Sequence, residues 1–257
     1  MGYKTSLRSV YLILTSSLAT NYVNPVKIGL PLRAYLYKKV LDIPLSVGSA
    51  SLGIEIFTQI FLLSIVSVIA IMNLFTDYSI KIPLFAITLL LILFFCVIFF
   101  EPTKLKKYTN RLPFENAINR LIDLGKSFQD GIKQAEKKSL LLFSFLIFLM
   151  YIISAIRLFV ILQIFGVGIT PLHVVYVQFI SGLLATVSMI PMGLGVKDAS
   201  IVVLLMELSV PNEVAILAAL IERTLTTGLN FVLGAVSASA LGIKFLEFRK
   251  IESEGQS

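Results

Sequence analysis

Four ionisable residues sit where an apolar chain can least tolerate them. Glu55, Arg157, Glu222 and Arg223 all lie inside long apolar stretches. A charged side chain at the centre of a membrane helix costs about 2.5–3.5 kcal/mol on insertion scales, so four of them facing lipid would cost on the order of 10 kcal/mol. That rivals the stability of a whole domain. They must therefore face one another, a wet cavity or a ligand. Glu222 and Arg223 are sequence neighbours and point about 100° apart around a helix, so they do not pair with each other. Each needs a partner on another helix, and the economical assignment is Arg157 with Glu222 and Glu55 with Arg223. Such pairs could do either of two things: staple helices together, or line a polar cavity that handles a charged ligand.

A second kind of chemistry is suggested by two Pro/Gly interruptions. Pro191-Met-Gly193-Leu-Gly195 leads directly into Val-Lys197-Asp198-Ala-Ser, and Lys27 precedes Gly29 with Arg33 one turn further on. A break that starts a helix leaves free backbone N–H groups at a positive dipole end, which binds anions such as phosphate. Lys197 would add a full positive charge there, and Asp198 would cap or gate the end. The alternative is a turn between two helices flanked by interfacial basic residues. Other chemistry finds little support. A single cysteine (Cys96) excludes an internal disulfide or a CxxC site, and a single histidine (His173) disfavours a His-built metal centre or a Ser-His relay. Gly125-Lys126-Ser127 imitates the end of a phosphate-binding loop, but Arg120 stands where the first glycine is required. No metal, cofactor or catalytic residue is expected.

The elements that must carry these groups are membrane helices. Hydrophobic residues make up 57% of the 257 and charged residues 14%, against about 45–50% and about 25% in soluble domains. A bilayer core needs about 20 mostly apolar residues in helix. Windows at 56–76, 82–100, 139–165, 172–196 and 224–243 qualify, and a shorter one at 9–23 reaches the length if it extends to Lys4. The first 20 residues also fit a secretory signal loosely, but the segment that follows them is paralleled later in the chain. The 102–138 segment carries nine of the 22 basic residues and four acidic ones, a net of +5 out of +7. The positive-inside rule places it in the cytoplasm. Within it, Phe114, Ile118, Leu121, Gly125, Phe128 and Ile132 recur at helical spacing, as in an amphipathic helix on the inner leaflet or a solvated helix packed on the protein. No aromatic or groove-reading motif accompanies the basic residues, so nucleic acid is not expected as a partner. Counting spans from this anchor puts the C-terminus outside, against the basic Lys244, Arg249 and Lys250.

The interruptions also repeat. Pro25-x3-Gly29, Pro44 and Glu55 are matched by Pro191-x3-Gly195, Pro211 and Glu222. The gaps between prolines are 19 and 20, and both Pro-to-Glu gaps are 11. Each copy reads as a break, a short segment, a second break and a long apolar helix with an acid three turns in. Irregular backbone survives at membrane depth only when buried in protein or lining a cavity, and repeated broken helices mark substrate sites in transporters. The Gly234-x3-Ala238-x3-Gly242 row reads as a close helix-packing face. Tyr22, Tyr35, Tyr37 and Tyr176 read as interface anchors or core.

The segments NPVKIGLPLRAYLYKK, SASLGIE, IPMGLGVKDAS and ERTLTTGLNFVLG resemble the flippase-like membrane family that corresponds to the transmembrane region of lysylphosphatidylglycerol synthase. The likeness covers about residues 10–240. Its motif positions fall on Gly29, Arg33, Glu55, Pro191, Gly193, Gly195, Asp198 and Arg223. Three positions depart from the family pattern: Leu30 where an acid is usual, Asp198 where Glu is usual, and Ile56 where Arg is usual. The resemblance implies a multi-pass membrane protein that moves a lipid or lipid-linked head group between leaflets. The family's aminoacyl transfer belongs to a separate soluble domain, for which this chain has no segment, so no enzyme activity is carried over.

The expected fold is all-α and polytopic, with about six full spans, two short broken or re-entrant segments and two related halves within one membrane domain over 1–257. Residues 102–138 form a cytoplasmic connector and 245–257 a polar tail. The expected function is lipid transport at the cell membrane. An anionic or zwitterionic head group would enter a polar cleft between the repeats. Lys27, Arg33, Lys197 and Arg223 would screen its phosphate, with Arg157, Glu55 and Glu222 setting charge balance, cation contact or proton coupling. Alternatives are a non-transporting scaffold for an envelope-lipid or glycolipid enzyme, an intramembrane transferase using Glu55 or Asp198 as base, and assembly as a homo-oligomer.

Overall fold

In the computed structural model, described here for residues 5–23, 29–75, 78–100, 137–188, 190 and 193–241, every regular element among the described residues is an α-helix. In chain order they are α1 (Leu7–Val23), α2 (Gly29–Leu41), α3 (Leu45–Leu74), α4 (Tyr78–Phe100), α5 (Lys137–Ile164), α6 (Pro171–Val187), α7 (Val196–Glu207) and α8 (Asn212–Ala240). The all-α expectation holds. Lys4, Pro25, Lys27, Pro191, Gly242, nearly all of the 102–138 connector and the 245–257 tail lie outside the described residues.

Among the described residues, three helices are long and apolar enough to cross a membrane: Leu45–Leu74, Lys138–Ile164 and Asn212–Ala240. They expose large apolar side chains along their length, including Leu142, Phe145, Leu149, Ile153, Ile156 and Val160 on α5, and Leu217, Leu220, Leu225, Leu229, Val232 and Val236 on α8. Water-soluble monomers rarely leave apolar patches of this extent uncovered. Lipid is the solvent these faces match. The six expected spans do not map one for one onto the helices. The apolar window 172–196 is not a single span: α6 stops at Val187, and Gly193 and Gly195 adopt φ +60° and +78°, which no continuing helix allows. The window that begins at 224 is instead part of a longer, 29-residue helix that already starts at Asn212. α1 and α6, with 17 residues each, reach about 25 Å, short of the roughly 30 Å hydrocarbon core.

The repeat is a structural one, and it extends further than its marker residues. A 17-residue helix, then a 13-residue helix, a proline corner and a 30-residue helix make the first copy. A 17-residue helix, a break, a 12-residue helix, a proline corner and a 29-residue helix make the second. Each corner holds a non-glycine residue in the left-handed region two positions before its proline, Asp42 (φ 52°) and Ser209 (φ 63°). Such a residue ends a helix by turning the chain out of its path. Val210 N–H then reaches the Leu205 carbonyl at 3.1 Å and Ser209 N–H the Met206 carbonyl at 2.9 Å, satisfying the last turn of α7. The prolines start the long helices alike: the Pro44 carbonyl accepts from Gly48 N–H at 3.0 Å, and the Pro211 carbonyl from Ala215 N–H at 2.9 Å. Proline suits a helix start, where its missing N–H costs nothing.

The chain divides into two compact units, Gly53–Glu222 and the pairing of Gly2–Leu52 with Arg223–Ser257, so the boundaries fall inside α3 and α8. In the first, α5 packs on α6 and α6 folds back on α7. Its core gathers Ile71, Leu158, Leu162, Val177, Ile180, Ile201, Leu205 and Ala218. A neighbouring cluster stacks the Tyr151 and Phe179 rings at 5.1 Å. Gly182 is required there, because a Cβ on it would stand 2.3 Å from the Tyr151 ring.

In the second unit α1 packs on α2, burying Ile13, Leu32, Leu36, Tyr37 and Leu52 together. Ser6 starts α1 by accepting the Ser9 amide at 3.1 Å. The buried hydroxyls of Thr15, Ser16, Ser17 and Thr20 return their protons to carbonyls of their own helix, so a polar stripe costs little inside the membrane. Of the tyrosines, Tyr37 is core, Tyr35 is exposed and Tyr176 is half-buried. The small-residue face of α8 is a packing surface as expected: a Cβ on Gly234 would lie 2.1 Å from Ala19 Cβ and 2.8 Å from the Thr15 carbonyl, and Thr15 Oγ1 meets Ser237 Oγ at 2.6 Å. Gly234→Ala should therefore destabilise this unit by about 1–3 kcal/mol, the usual cost of overpacking. Thermal unfolding in detergent would show it as a lowered midpoint, partly restored by adding Ala19→Gly; an unchanged midpoint would mean that α1 and α8 do not approach this closely.

Candidate functional site

Three helices of the Gly53–Glu222 unit each bring one polar group to the same place in an apolar core. Arg157 comes from α5, Gln178 from α6 and Glu222 from α8. At 1.5 Å per residue, each lies about 10–15 Å from the helix end at Ile164, Pro171 or Asn212. Val167, Ile169 and Val210 from the two connecting turns belong to one apolar cluster, so these helix ends share one side of the unit.

Glu222 is almost wholly buried. Arg157 grips it bidentately: Nε donates to Oε2 at 2.7 Å, and Nη2 donates to Oε1. Both oxygens are thus held by one planar fork, the geometry that makes Arg–carboxylate pairs strong and directional. The Arg157 side chain remains 27% exposed while that of Glu222 is 3% exposed, so the pair opens to its surroundings through the guanidinium. Gln178 is fully buried, and its Nε2 donates to Glu222 Oε1 at 3.4 Å. The other end of that amide, Oε1, is buried without a hydrogen-bond partner. The pairing of Arg157 with Glu222 is the one the sequence predicts. Gln178 was not predicted: a neutral amide carries no charge penalty to flag it, although it is the one amide within VVYVQFISGLL.

The remaining expected residues are placed as follows. Glu55 is half-buried on α3 in the same unit. Arg223 is half-buried on α8 and belongs to the other unit, as do Gly29, buried at the start of α2, and Arg33. Arg33 is tied to its own helix, with Nε donating to Tyr37 Oη at 2.9 Å and the guanidinium over the Tyr37 ring. At the second break Gly193 is buried with a virtual Cβ 2.6 Å from Ala185 Cβ, so both its φ and its space demand glycine. Gly195 is exposed and needs glycine for its φ alone. Lys197 and Asp198 are half-buried. Asp198 Oδ2 accepts the Gly195 N–H at 3.1 Å, so it caps α7. A carboxylate already placed at that helix start opposes a phosphate there, which weakens the anion-cradle expectation for this end. Tyr151 and Gln59 form a further buried polar contact that the sequence did not flag, Gln59 Nε2 donating to Tyr151 Oη at 3.2 Å.

No group of His, Cys, Asp and Glu among the described residues could hold a metal ion. What the triad can do is keep an ion pair intact deep in apolar surroundings while leaving one side of the arginine accessible. Removing one partner of a buried pair strands the other, at a cost of about 3–5 kcal/mol. Arg157→Ala should therefore unfold at a much lower temperature than wild type. The exchange Arg157→Glu with Glu222→Arg should recover part of that loss. Recovery of stability together with recovery of biological activity would identify a staple, and recovery of stability alone a site whose polarity matters.

Comparison with protein families matches residues 1–234 to the lysylphosphatidylglycerol synthase TM region. No curated protein and no solved structure is matched. The matched span includes the first copy of the repeat, the second up to residue 234 of α8, and the whole Arg157–Gln178–Glu222 cluster. This chain, a multi-pass membrane protein with its ion pair buried among apolar helices, belongs to the family of the lysylphosphatidylglycerol synthase TM region.

Proposed function

We propose that this protein moves a phospholipid or lipid-linked head group, anionic or zwitterionic, between the leaflets of the cell membrane, and that it does so without enzymatic chemistry of its own. The observation that carries the reading is the duplicated helix–break–helix–proline corner–long helix unit, with an acid eleven residues past each corner proline. Repeats built of interrupted helices are the architecture that transporters use to hold a polar substrate at membrane depth. A phosphate stripped of water costs up to about 20 kcal/mol on an idealised Born basis. Ionised side chains held within the helices lower that barrier, while the acyl or prenyl chains stay in lipid. Within the Gly53–Glu222 unit, Glu55 and Lys197 are the proposed head-group contacts and Arg157 with Glu222 holds the charge pair that the substrate meets; Arg33 and Arg223, which belong to the other unit, are proposed as further cations that screen a phosphate.

Reconstitution tests this. In proteoliposomes carrying a reporter lipid, the wild type should equilibrate the leaflets faster than protein-free vesicles, with Glu55→Gln and Arg223→Ala at least tenfold slower. Equal rates for all three, no faster than empty vesicles, would defeat transport and favour a scaffold for a lipid enzyme.

Orientation follows from exposed charges at the corners. With the 102–138 connector in the cytoplasm, α3 starts on the cytoplasmic side, where Lys38 and Lys39 are exposed at the end of α2. α5 then runs outward, and α6 and α7 form a hairpin that enters and leaves on the outer side, where Glu207 and Glu213 are exposed. α8 runs inward, so its Ala240 end lies on the cytoplasmic side and the conflict in the span count is removed. In a Cys96→Ser background, Lys39→Cys should react with a membrane-impermeant thiol reagent only from the cytoplasmic side, and Glu213→Cys only from outside. Labelling of both from one side would refute the hairpin.

A further inference from the structure

The buried amide of Gln178 is half used. Its Nε2 faces the Glu222 carboxylate while its Oε1, equally buried, accepts from nothing. Native proteins seldom leave a buried acceptor in that state without a reason. The neighbouring acid supplies one. An ionised carboxylate can only accept, whereas a protonated one has an O–H to donate. An amide serves both: its N–H donates to Glu222 when ionised, and after a half-turn of the amide its oxygen accepts from Glu222 when protonated.

The second observation concerns Arg157. The fork that holds both Glu222 oxygens matches a phosphate equally well, and the arginine side chain is the part of the pair that reaches the surface, at 27% exposure. We infer that the Arg157–Glu222–Gln178 cluster is an exchange site: a phosphodiester anion displaces Glu222 from Arg157, and Glu222 takes up a proton that Gln178 Oε1 accepts as a hydrogen bond. The inference rests on the proposed lipid transport and adds its coupling. Before exchange, Arg157 carries +1 and Glu222 −1. Afterwards Arg157 faces the phosphate's −1 and Glu222 is neutral, its proton drawn from water. The buried cluster stays electroneutral throughout, and each anionic head group enters with one proton.

The surroundings of Glu222 suit this. Arg157 on α5 and Gln178 on α6 both donate to it, and α3 and α7 contribute Ala70, Ile71, Ile201, Leu204 and Leu205 to the apolar cluster of the same unit. The other acidic, basic and phenolic residues with described side chains on the helices of this unit are Glu55 on α3, Lys81 on α4, Lys138 and Tyr151 on α5, His173 and Tyr176 on α6, Lys197, Asp198 and Glu207 on α7, and Glu213 on α8. Lys81 is engaged with the Met72 carbonyl and Asp198 with the Gly195 amide.

The test is proton uptake on binding, measured on the full chain in weakly buffered detergent. Two probes whose diester phosphate does not titrate near neutrality are used: dihexanoyl phosphatidylglycerol and dimethyl phosphate. The wild type should take up about one proton per probe bound, and its affinity should strengthen about tenfold for each unit fall in pH, the slope of one linked proton. Uptake with the lipid probe alone assigns the site to a lipid head group; uptake with both assigns it to the phosphodiester itself. Glu222→Gln, permanently neutral, should bind without proton uptake and without pH dependence. Gln178→Leu keeps the ion pair but removes the proton's acceptor, and should move the pH profile of binding to lower pH, a change that loss of packing would not produce. Binding without proton uptake overturns the exchange and leaves the transport reading standing. Absence of binding by wild type at every pH overturns the exchange, while leaflet equilibration in proteoliposomes separately decides transport.

Discussion

An ion cannot remain in hydrocarbon alone, and the organisation of the Gly53–Glu222 unit answers to that constraint. Glu222 is buried because Arg157 reaches it from a different helix, and Gln178 reaches it from a third. Satisfying one carboxylate thus fixes the placement of α5, α6 and α8 against one another. The apolar side chains around the pair gain strength from it in turn. Leu158, Val177, Ile180 and Ala218, buried on these same three helices, belong to one apolar cluster. The membrane gives no hydrophobic incentive for helices to associate, so polar contacts of this kind and close small-residue contacts carry the burden. The Gly53–Glu222 unit relies on the first. The unit of α1, α2 and the end of α8 relies more on the second, with Gly234 against Ala19.

Interruption is the other theme. Helices that span hydrocarbon satisfy their backbone internally, and every break has to be compensated. Here the compensation is local. Left-handed residues at Asp42, Gly166 and Ser209 stop helices, and the turns that follow return their amides to the last carbonyls; at the end of α5, Val167 N–H reaches Leu162 O at 3.1 Å. Prolines 44, 171 and 211 begin helices where a donor is not needed. Asp198 closes the start of α7 with its own carboxylate. A chain with these devices can place short helices beside long ones without leaving open backbone. The corner, a left-handed residue two positions before a proline, occurs twice, between helices of nearly equal length.

Much of this was legible in the residues. Apolar runs bounded by Pro and Gly announce helices and their ends, and the equal Pro-to-Glu spacing announced the repeat before any helix was placed. The cost of a charge in lipid made Arg157 and Glu222 partners by elimination of cheaper arrangements. Less visible were the limits of the elements: 172–196 looks like one span by apolarity, but the glycine conformations that end it are a backbone property that hydropathy does not register. Gln178 and the Gln59–Tyr151 contact were also hidden, because a neutral polar group inside an apolar run is as compatible with the surface as with the core.

By itself, then, the sequence determined that the chain is helical, that it belongs in a bilayer, and that its buried charges require partners. These follow from local rules: hydrogen-bond self-sufficiency, side-chain transfer costs and the φ limits of Pro and Gly. Only the tertiary structure decided that Gln178 joins the ion pair with one amide end left over, that Asp198 turns back on the Gly195 amide, and that the accessible side of the cluster is the arginine. Those outcomes depend on which helix faces which and at what depth, a choice among many packings of equal local cost that is settled only when all the side chains are fitted at once.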